Sequence, residues 1–333
     1  GCRALFDATA ASPMSSTDPK ALLPDSLAAR VSTLTIKEGR AIAIVDAAGL
    51  GQQERDDIER AITDILGQRE EVSETRVVMT AERTQRRIIA VGSGKGGVGK
   101  STLTANLAIA LARRGRKVGL VDADIYGPSQ PVILGNQGSK PVARDKKLEP
   151  VDSPVGIPVL SMGHLVEPGR ALAWRGPMAG NALAQLIDAH WGDVDTLLVD
   201  LPPGTGDVQL TMLQRYKPMG AVLVSTPQDL ALIDAARAGQ LFDQAGVPVI
   251  GLVENMAGYA CPHCGEVSDP FGRGGVETAA GRLDLPFLGR IPLDLAIREG
   301  SDRGQPPACG EDALAAPFHD IAAKVDAWIR AQG

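Results

Sequence analysis

The chain is 333 residues long, 44% hydrophobic and 22% charged, enough for one large domain or two unequal ones. Forty acidic against 34 basic side chains leave a net charge of -6, and only three Trp, three Tyr and five Phe are present, which argues against a basic nucleic-acid surface, a base-stacking platform or attraction to anionic membrane. Four cysteines, Cys2, Cys261, Cys264 and Cys309, are too few for a disulfide-stapled secreted scaffold. No stretch reaches the roughly 18 apolar residues of a membrane span and the start carries no basic then apolar leader, so a cytoplasmic protein is expected.

Residues 1–25 read as a disordered extension: the chain opens Gly-Cys-Arg, and Met14 before Ser15, Ser16, Thr17 and Asp18 resembles a natural start. Residues 26–80 read as a small α+β unit. Ile42, Ile44 and Val45 suggest a strand, Ile58, Ala61, Ile62, Ile65 and Leu66 recur at helical spacing, and Val77, Val78 and Met79 suggest a second strand. The polar residues 81–87 have no apolar period and are expected to be a linker.

From Ile88 the pattern changes to apolar runs at residues 88–91, 118–121, 159–160, 197–199, 221–224, 249–253 and 287–291, with helical stretches between them. Continuous Val/Ile/Leu runs belong to strands covered on both faces, so residues 88–333 are expected to form an α/β domain with a doubly wound, mostly parallel sheet. Leu103, Leu107, Ala110 and Leu111 mark one helix. Asp229 is the expected N-cap of another through Ala231, Ala235, Ala238, Leu241 and Phe242.

The first run leads directly into Gly92-Ser93-Gly94-Lys95-Gly96-Gly97-Val98-Gly99-Lys100-Ser101, and a helix follows. Residues 94–101 satisfy G-x-x-x-x-G-K-[ST] in the strand-loop-helix context that the pattern needs. Glycines let backbone N-H groups turn inward around phosphate oxygens at a helix N-terminus. Candidate ATP-binding residues are Gly94, Lys95, Gly96, Gly97, Val98, Gly99, Lys100, Ser101 and Thr102, with Lys100 reaching the β- and γ-phosphates and Ser101 ligating Mg²⁺. The alternative is a Gly-rich turn with no ligand.

Two strand-end carboxylate sites accompany the loop. Asp122 and Asp124, in Val-Asp-Ala-Asp, are expected on one side of a strand, toward the sheet edge where ligands bind. Leu197-Leu198-Val199-Asp200 places an aspartate where Mg²⁺ is held directly or through water, and it leads into Pro202-Pro203-Gly204-Thr205-Gly206-Asp207.

Cys261-Pro262-His263-Cys264-Gly265 lies in the Gly/Pro-rich residues 256–275. Two thiolates at this spacing turn to one side and make half of a metal site, so a second copy of the chain is expected to complete it. A [4Fe-4S] cluster held by Cys261 and Cys264 of each of two subunits would have four thiolates. A redox dithiol, a zinc site using His263 and an inert pair are the other readings.

Lys95 makes the loop resemble that of the deviant phosphate-loop ATPases, the class of cell-division and partition ATPases and nitrogenase iron protein. In that class this lysine reaches the phosphates of a partner's nucleotide, which implies a homodimer. With VDADIYGPS (residues 121–129), LPPGTGD (201–207), ENMA (254–257), CPHCG (261–265) and FGRGG (271–275), residues 86–325 resemble the Mrp/ApbC family of iron-sulfur cluster carriers. The resemblance implies a homodimer that binds a labile cluster, hydrolyses ATP slowly and exchanges clusters with scaffold proteins and apo-proteins. It further implies that Asp124 acts on the attacking water and that Asn255 lies at the adenine. The competing reading is a MinD/ParA-like spatial organiser with a membrane or DNA platform. Its candidate anchor is the amphipathic stripe Phe318, Ile321, Ala322, Val325, Trp328 and Ile329, which lacks the basic polar face of an interfacial helix.

Overall fold

The computed structural model describes residues 19–47, 50, 52–80, 86–125, 127–165, 177–204 and 206–333. The chain divides into two units, Gly1–Gln85 and Arg86–Gly333. Most of the expected extension and the first five residues of the expected linker lie outside the described residues, as do Tyr126 and Thr205 of the quoted motifs.

The first unit contains strands β1 (Val31–Lys37) and β2 (Arg40–Asp46), helix α1 (Gln52–Gly67) and strand β3 (Glu74–Thr80), in sheet order β1-β2-β3. β1 and β2 are antiparallel and β2 and β3 parallel. Glu38 and Gly39 join the first pair with φ of 51° and 76°, the left-handed pair that a two-residue hairpin requires. Alternation along β2 buries Ala41, Ala43 and Val45 with Ile62 and Leu66 of α1, while Ile42 is 42% exposed. The apolar run therefore locates this strand, and its inner face carries two alanines. Within the expected extension, Pro19–Leu22 forms a 3-10 turn and Leu23 is buried in this core.

The second unit runs β4 (Arg87–Ser93), α2 (Lys100–Arg113), β5 (Val118–Asp122), β6 (Val159–Ser161), α3 (Pro177–Ile187), β7 (Thr196–Asp200), β8 (Gly220–Ser225) and α4 (Asp229–Gln244). It continues with β9 (Val249–Asn255), the short pair β10 (Tyr259–Ala260) and β11 (Val267–Ser268), α5 (Gly275–Arg282), β12 (Phe287–Ile291), α6 (Leu295–Asp302) and α7 (Ala316–Ala331). Its main sheet has the order β12-β9-β8-β4-β7-β5-β6, and every neighbouring pair is parallel. Arg87 of the expected linker is already in the sheet, paired with Thr196. α4 begins at Asp229 with Gln228 in the cap position, which corrects the expected cap by one residue. The side chains of residues 229–236 lie outside the description, whereas Ala238 and Phe242 are buried.

α2 is covered on nearly every side, since Leu103 through Leu111 are all buried between the sheet and its neighbours. α7 packs on α2 and β12 through Phe318, Ile321, Ala322, Val325 and Ile329, so the stripe that could have been an anchor is part of the core. Burial of each large side chain in that stripe contributes about 1.5–3 kcal/mol. Among the described residues no helix is long and apolar enough to cross a membrane.

Asp326 on α7 is also buried, and its carboxylate meets Arg116, Arg114 at 3.3 Å and Arg330 at 2.9 Å. Burial raises its pKa, but the arginines, Arg116 foremost, hold it below the ordinary aspartate value. Arg114 and Arg330 are partly solvated, so Asp326→Ala is expected to cost about 2–3 kcal/mol rather than the 3–5 of a wholly buried pair. With a depressed folded-state pKa, this stabilisation is present above the unfolded value of about 4 and disappears as pH falls through the lower folded value. Urea unfolding should therefore separate wild type from Asp326→Ala at pH 7, and the two should converge as pH falls below the unfolded aspartate value of about 4.

Candidate functional site

Parallel strands deliver their C-terminal ends to one edge, and here β4, β5 and β7 bring Ser93, Asp122 and Asp200 there. Register places Val91 and Asp122 beside Asp200. The loop after β4 turns through Gly97 and Gly99, with φ of 80° and 82°, and α2 starts at Lys100. The Ser93 hydroxyl donates to the Lys95 carbonyl at 2.9 Å, and the amide of Gly204 donates to the Ser93 carbonyl at 3.1 Å, tying the Pro202-Pro203-Gly204 turn to the loop.

Lys100 and Asp200 form a buried ion pair beneath the loop. The Lys100 ammonium also lies 3.4 Å from the Ser101 hydroxyl, and the Thr104 hydroxyl lies 3.3 Å from the same Asp200 oxygen. The other Asp200 oxygen accepts from the Gln130 side chain at 2.8 Å. Asp122 accepts from the amides of Asp124 (3.2 Å), Ser129 (3.0 Å) and Gln130 (3.1 Å) and from the Ser161 hydroxyl (2.9 Å). Burial and then the Asp200 charge push Asp122 up to about 7, against those hydrogen bonds. Asp122 thus holds the segment that carries Asp124. Asp124 lines the cleft and accepts from the Gly127 amide at 3.2 Å.

That cleft, about 650 Å³, brings together Lys95, Lys100, Ser101, Thr102, Asp124 and Asn255 of the sequence-derived candidates. Lys95 is half-buried and donates to the Gln228 side chain of its own chain at 3.2 Å. Asn255 donates its amide to the Val98 carbonyl at 2.8 Å, and a Cβ on Gly99 would collide with that amide nitrogen. The opposite wall comes from Pro292, Leu293, Asp294 and Arg298. Sequence reading missed this wall, although its signal was available: the segment directly follows β12 and so opens on the same sheet edge.

The cysteine pair sits at the tip of the β10-β11 hairpin. The Cys261 amide donates to the Glu266 carbonyl at 2.9 Å, and Gly265, at φ of 75°, donates back to the Cys261 carbonyl at 2.8 Å. Amides of His263 and Cys264 and the Cys264 side chain hydrogen-bond the Cys261 sulfur and pull its thiol below the ordinary value. Among the described residues no group of three His, Cys, Asp or Glu gathers here or elsewhere.

The segment that leads into this hairpin also borders the cleft. Met256 follows Asn255 at φ of 61° and lines the cleft, and Ala257 and Gly258 bond to Ile291 and Leu293 at 3.0 and 2.9 Å. At the far end, buried Glu254 accepts from the amides of Gly274 (3.0 Å) and Val276 (2.9 Å) and pairs with Arg290 at 2.9 Å. Glu254 carried no role in the sequence reading, yet a carboxylate ending a wholly apolar strand is a usable signal for such an anchor.

A glycine loop between a parallel strand and a helix, with its lysine on a strand-end aspartate, defines a P-loop nucleotide-binding fold. The matching family model is that of the ParA, NUBPL iron-transfer P-loop NTPases, over residues 84–326, and the chain belongs to this family. It is 48% identical to the iron-sulfur cluster carrier protein of Pseudomonas fragi, over 68% of this chain and 79% of that protein. It is 52% identical to an Arabidopsis thaliana mitochondrial iron-sulfur protein required for NADH dehydrogenase, over 66% of this chain and 70% of the relative. Among solved structures, a nucleotide-binding protein of Archaeoglobus fulgidus in complex with ADP is 42% identical at a TM-score of 0.58, covering 66% of this chain and 86% of its own. The septum site-determining protein MinD of Pyrococcus horikoshii, complexed with Mg-ADP, is 27% identical at 0.54, over 74% and 99%.

Gly99→Ala should abolish nucleotide binding, because the left-handed backbone and the Asn255 contact both exclude a side chain. Isothermal titration with ADP checks this, and adding Asn255→Ala should not restore binding, since the φ strain remains.

Proposed function

We propose that this chain is an ATP-hydrolysing carrier that holds a [4Fe-4S] cluster between two copies of itself and passes it to apo-proteins, receiving it from scaffold proteins. The observation that carries the reading is that one segment, residues 254–258 at the end of β9, lends Asn255 and Met256 to the nucleotide cleft and leads into the cysteine hairpin.

The residues divide the work by charge and place. Lys100 pairs with Asp200; with ATP bound it would turn to the phosphates, and Asp200 and the Ser101 hydroxyl would hold magnesium. Magnesium held there would supply neutralisation of the phosphate charge. The donors fit it, being a hydroxyl and a carboxylate, the hard oxygen ligands that magnesium takes. Backbone amides of residues 94–102 cradle the phosphates, and Asp124 orients the attacking water. Lys95 leaves Gln228 to reach the nucleotide of the second copy. Asn255 lies where it meets both the loop and the base. Cys261 and Cys264 each give the cluster one thiolate, and the lowered Cys261 pKa favours the ligating form.

Nucleotide arrival reaches the cluster through the stem. A shift of residues 98–99 moves Asn255, and the Ala257 and Gly258 bonds carry that displacement into the hairpin base while Glu254 fixes its other end.

Anaerobic reconstitution with iron and sulfide, followed by iron counting and native mass measurement, tests the reading. Wild type should hold one four-iron cluster per two chains, and Cys261→Ala should lose it while keeping ADP binding. Stoichiometric zinc in place of iron, or a cluster retained by the variant, would contradict it.

A further inference from the structure

Gln130 stands outside every motif given a role so far, yet it sits where three strand and helix ends meet. Its side chain is wholly buried, and its Nε2 donates to the Asp200 carboxylate at 2.8 Å and to the Ser101 carbonyl at 3.0 Å. Its own amide is fixed by Asp122 at 3.1 Å, and Pro131 follows it. Both partners of the side-chain nitrogen are acceptors only, so the carboxamide has one admissible orientation. Its Oε1 is then buried with no hydrogen-bond partner.

An unmatched buried carbonyl costs about 1–3 kcal/mol, and such exceptions in a native fold call for a reason. We infer that Gln130 is a positioning residue of the magnesium site: its nitrogen holds the Asp200 carboxylate and its unmatched oxygen would accept a hydrogen bond from a water on the magnesium. This rests on the nucleotide-site reading above. The chemistry suits a carboxamide in particular. Magnesium gives up its waters reluctantly, and those waters need acceptors. Partners that orient ligands in this way typically contribute 10-fold to 100-fold in metal affinity. A glutamate here would set a second negative charge against Asp200, and an apolar residue would leave one Asp200 oxygen without its donor.

A structural strut and a metal-site residue differ in what they do to metal-free nucleotide binding. The test measures ADP affinity in EDTA and the magnesium concentration that half-saturates the ADP complex, for wild type and Gln130→Leu in the full chain. Gln130→Leu should raise the magnesium half-saturation about 10-fold and leave ADP affinity in EDTA within about twofold. Gln130→Asn, which keeps a donor and an acceptor on a shorter stem, should fall between the two, and it decides the comparison if Gln130→Leu does not fold. An unchanged magnesium half-saturation, or an equal loss with and without magnesium, would overturn the inference. A wild type that binds ADP no differently with magnesium would instead overturn the nucleotide-site reading, and this inference with it.

Discussion

The buried contact between Lys100 and Asp200 is the interaction around which the second unit is arranged. Two charges withdrawn from water cost several kcal/mol each, and their attraction compensates only when the remaining donors and acceptors are met. Thr104, Ser101 and Gln130 supply those bonds, and Asp122 in turn fixes Gln130 from the neighbouring strand. A pair held in this way is stable in isolation and open to exchange. A triphosphate offers the lysine more negative charge than one carboxylate does, and the carboxylate it leaves is then available for a cation.

The proposed route from the nucleotide to the cysteines runs through the end of β9. Three consecutive residues at its end have separate duties: Glu254 anchors the return of the cysteine loop, Asn255 touches the phosphate loop and Met256 turns the chain with a left-handed backbone. Gly99 leaves no slack against Asn255, since even a methyl group would not fit between them. Packed contacts of this kind transmit displacement because interiors are dense and yield little. The cysteine knuckle itself is exposed at a hairpin tip, so its position is set by its stem rather than by a core around it.

Much of this was legible in the sequence. Seven apolar runs became the seven parallel strands, because strands buried on both faces leave no polar alternation to blur them. The phosphate loop was readable because its glycines are dictated by backbone geometry. Other features depended on tertiary placement. Ile42 faces out because alternation admits the alanines to the small core, and α4 starts at Asp229 rather than after it. Gln130 and the wall at residues 292–298 are ordinary in sequence and acquire meaning only when the fold sets them beside Asp200 and Asn255.

The coupling of the nucleotide cleft to the cysteine hairpin is the central claim, and hydrogen-deuterium exchange on the full chain, with and without Mg-ATP, tests it directly. Changed protection should appear in residues 94–102 and also in residues 256–268 and 291–298. Protection confined to the phosphate loop, with the hairpin stem exchanging at the same rate in both states, would contradict the account.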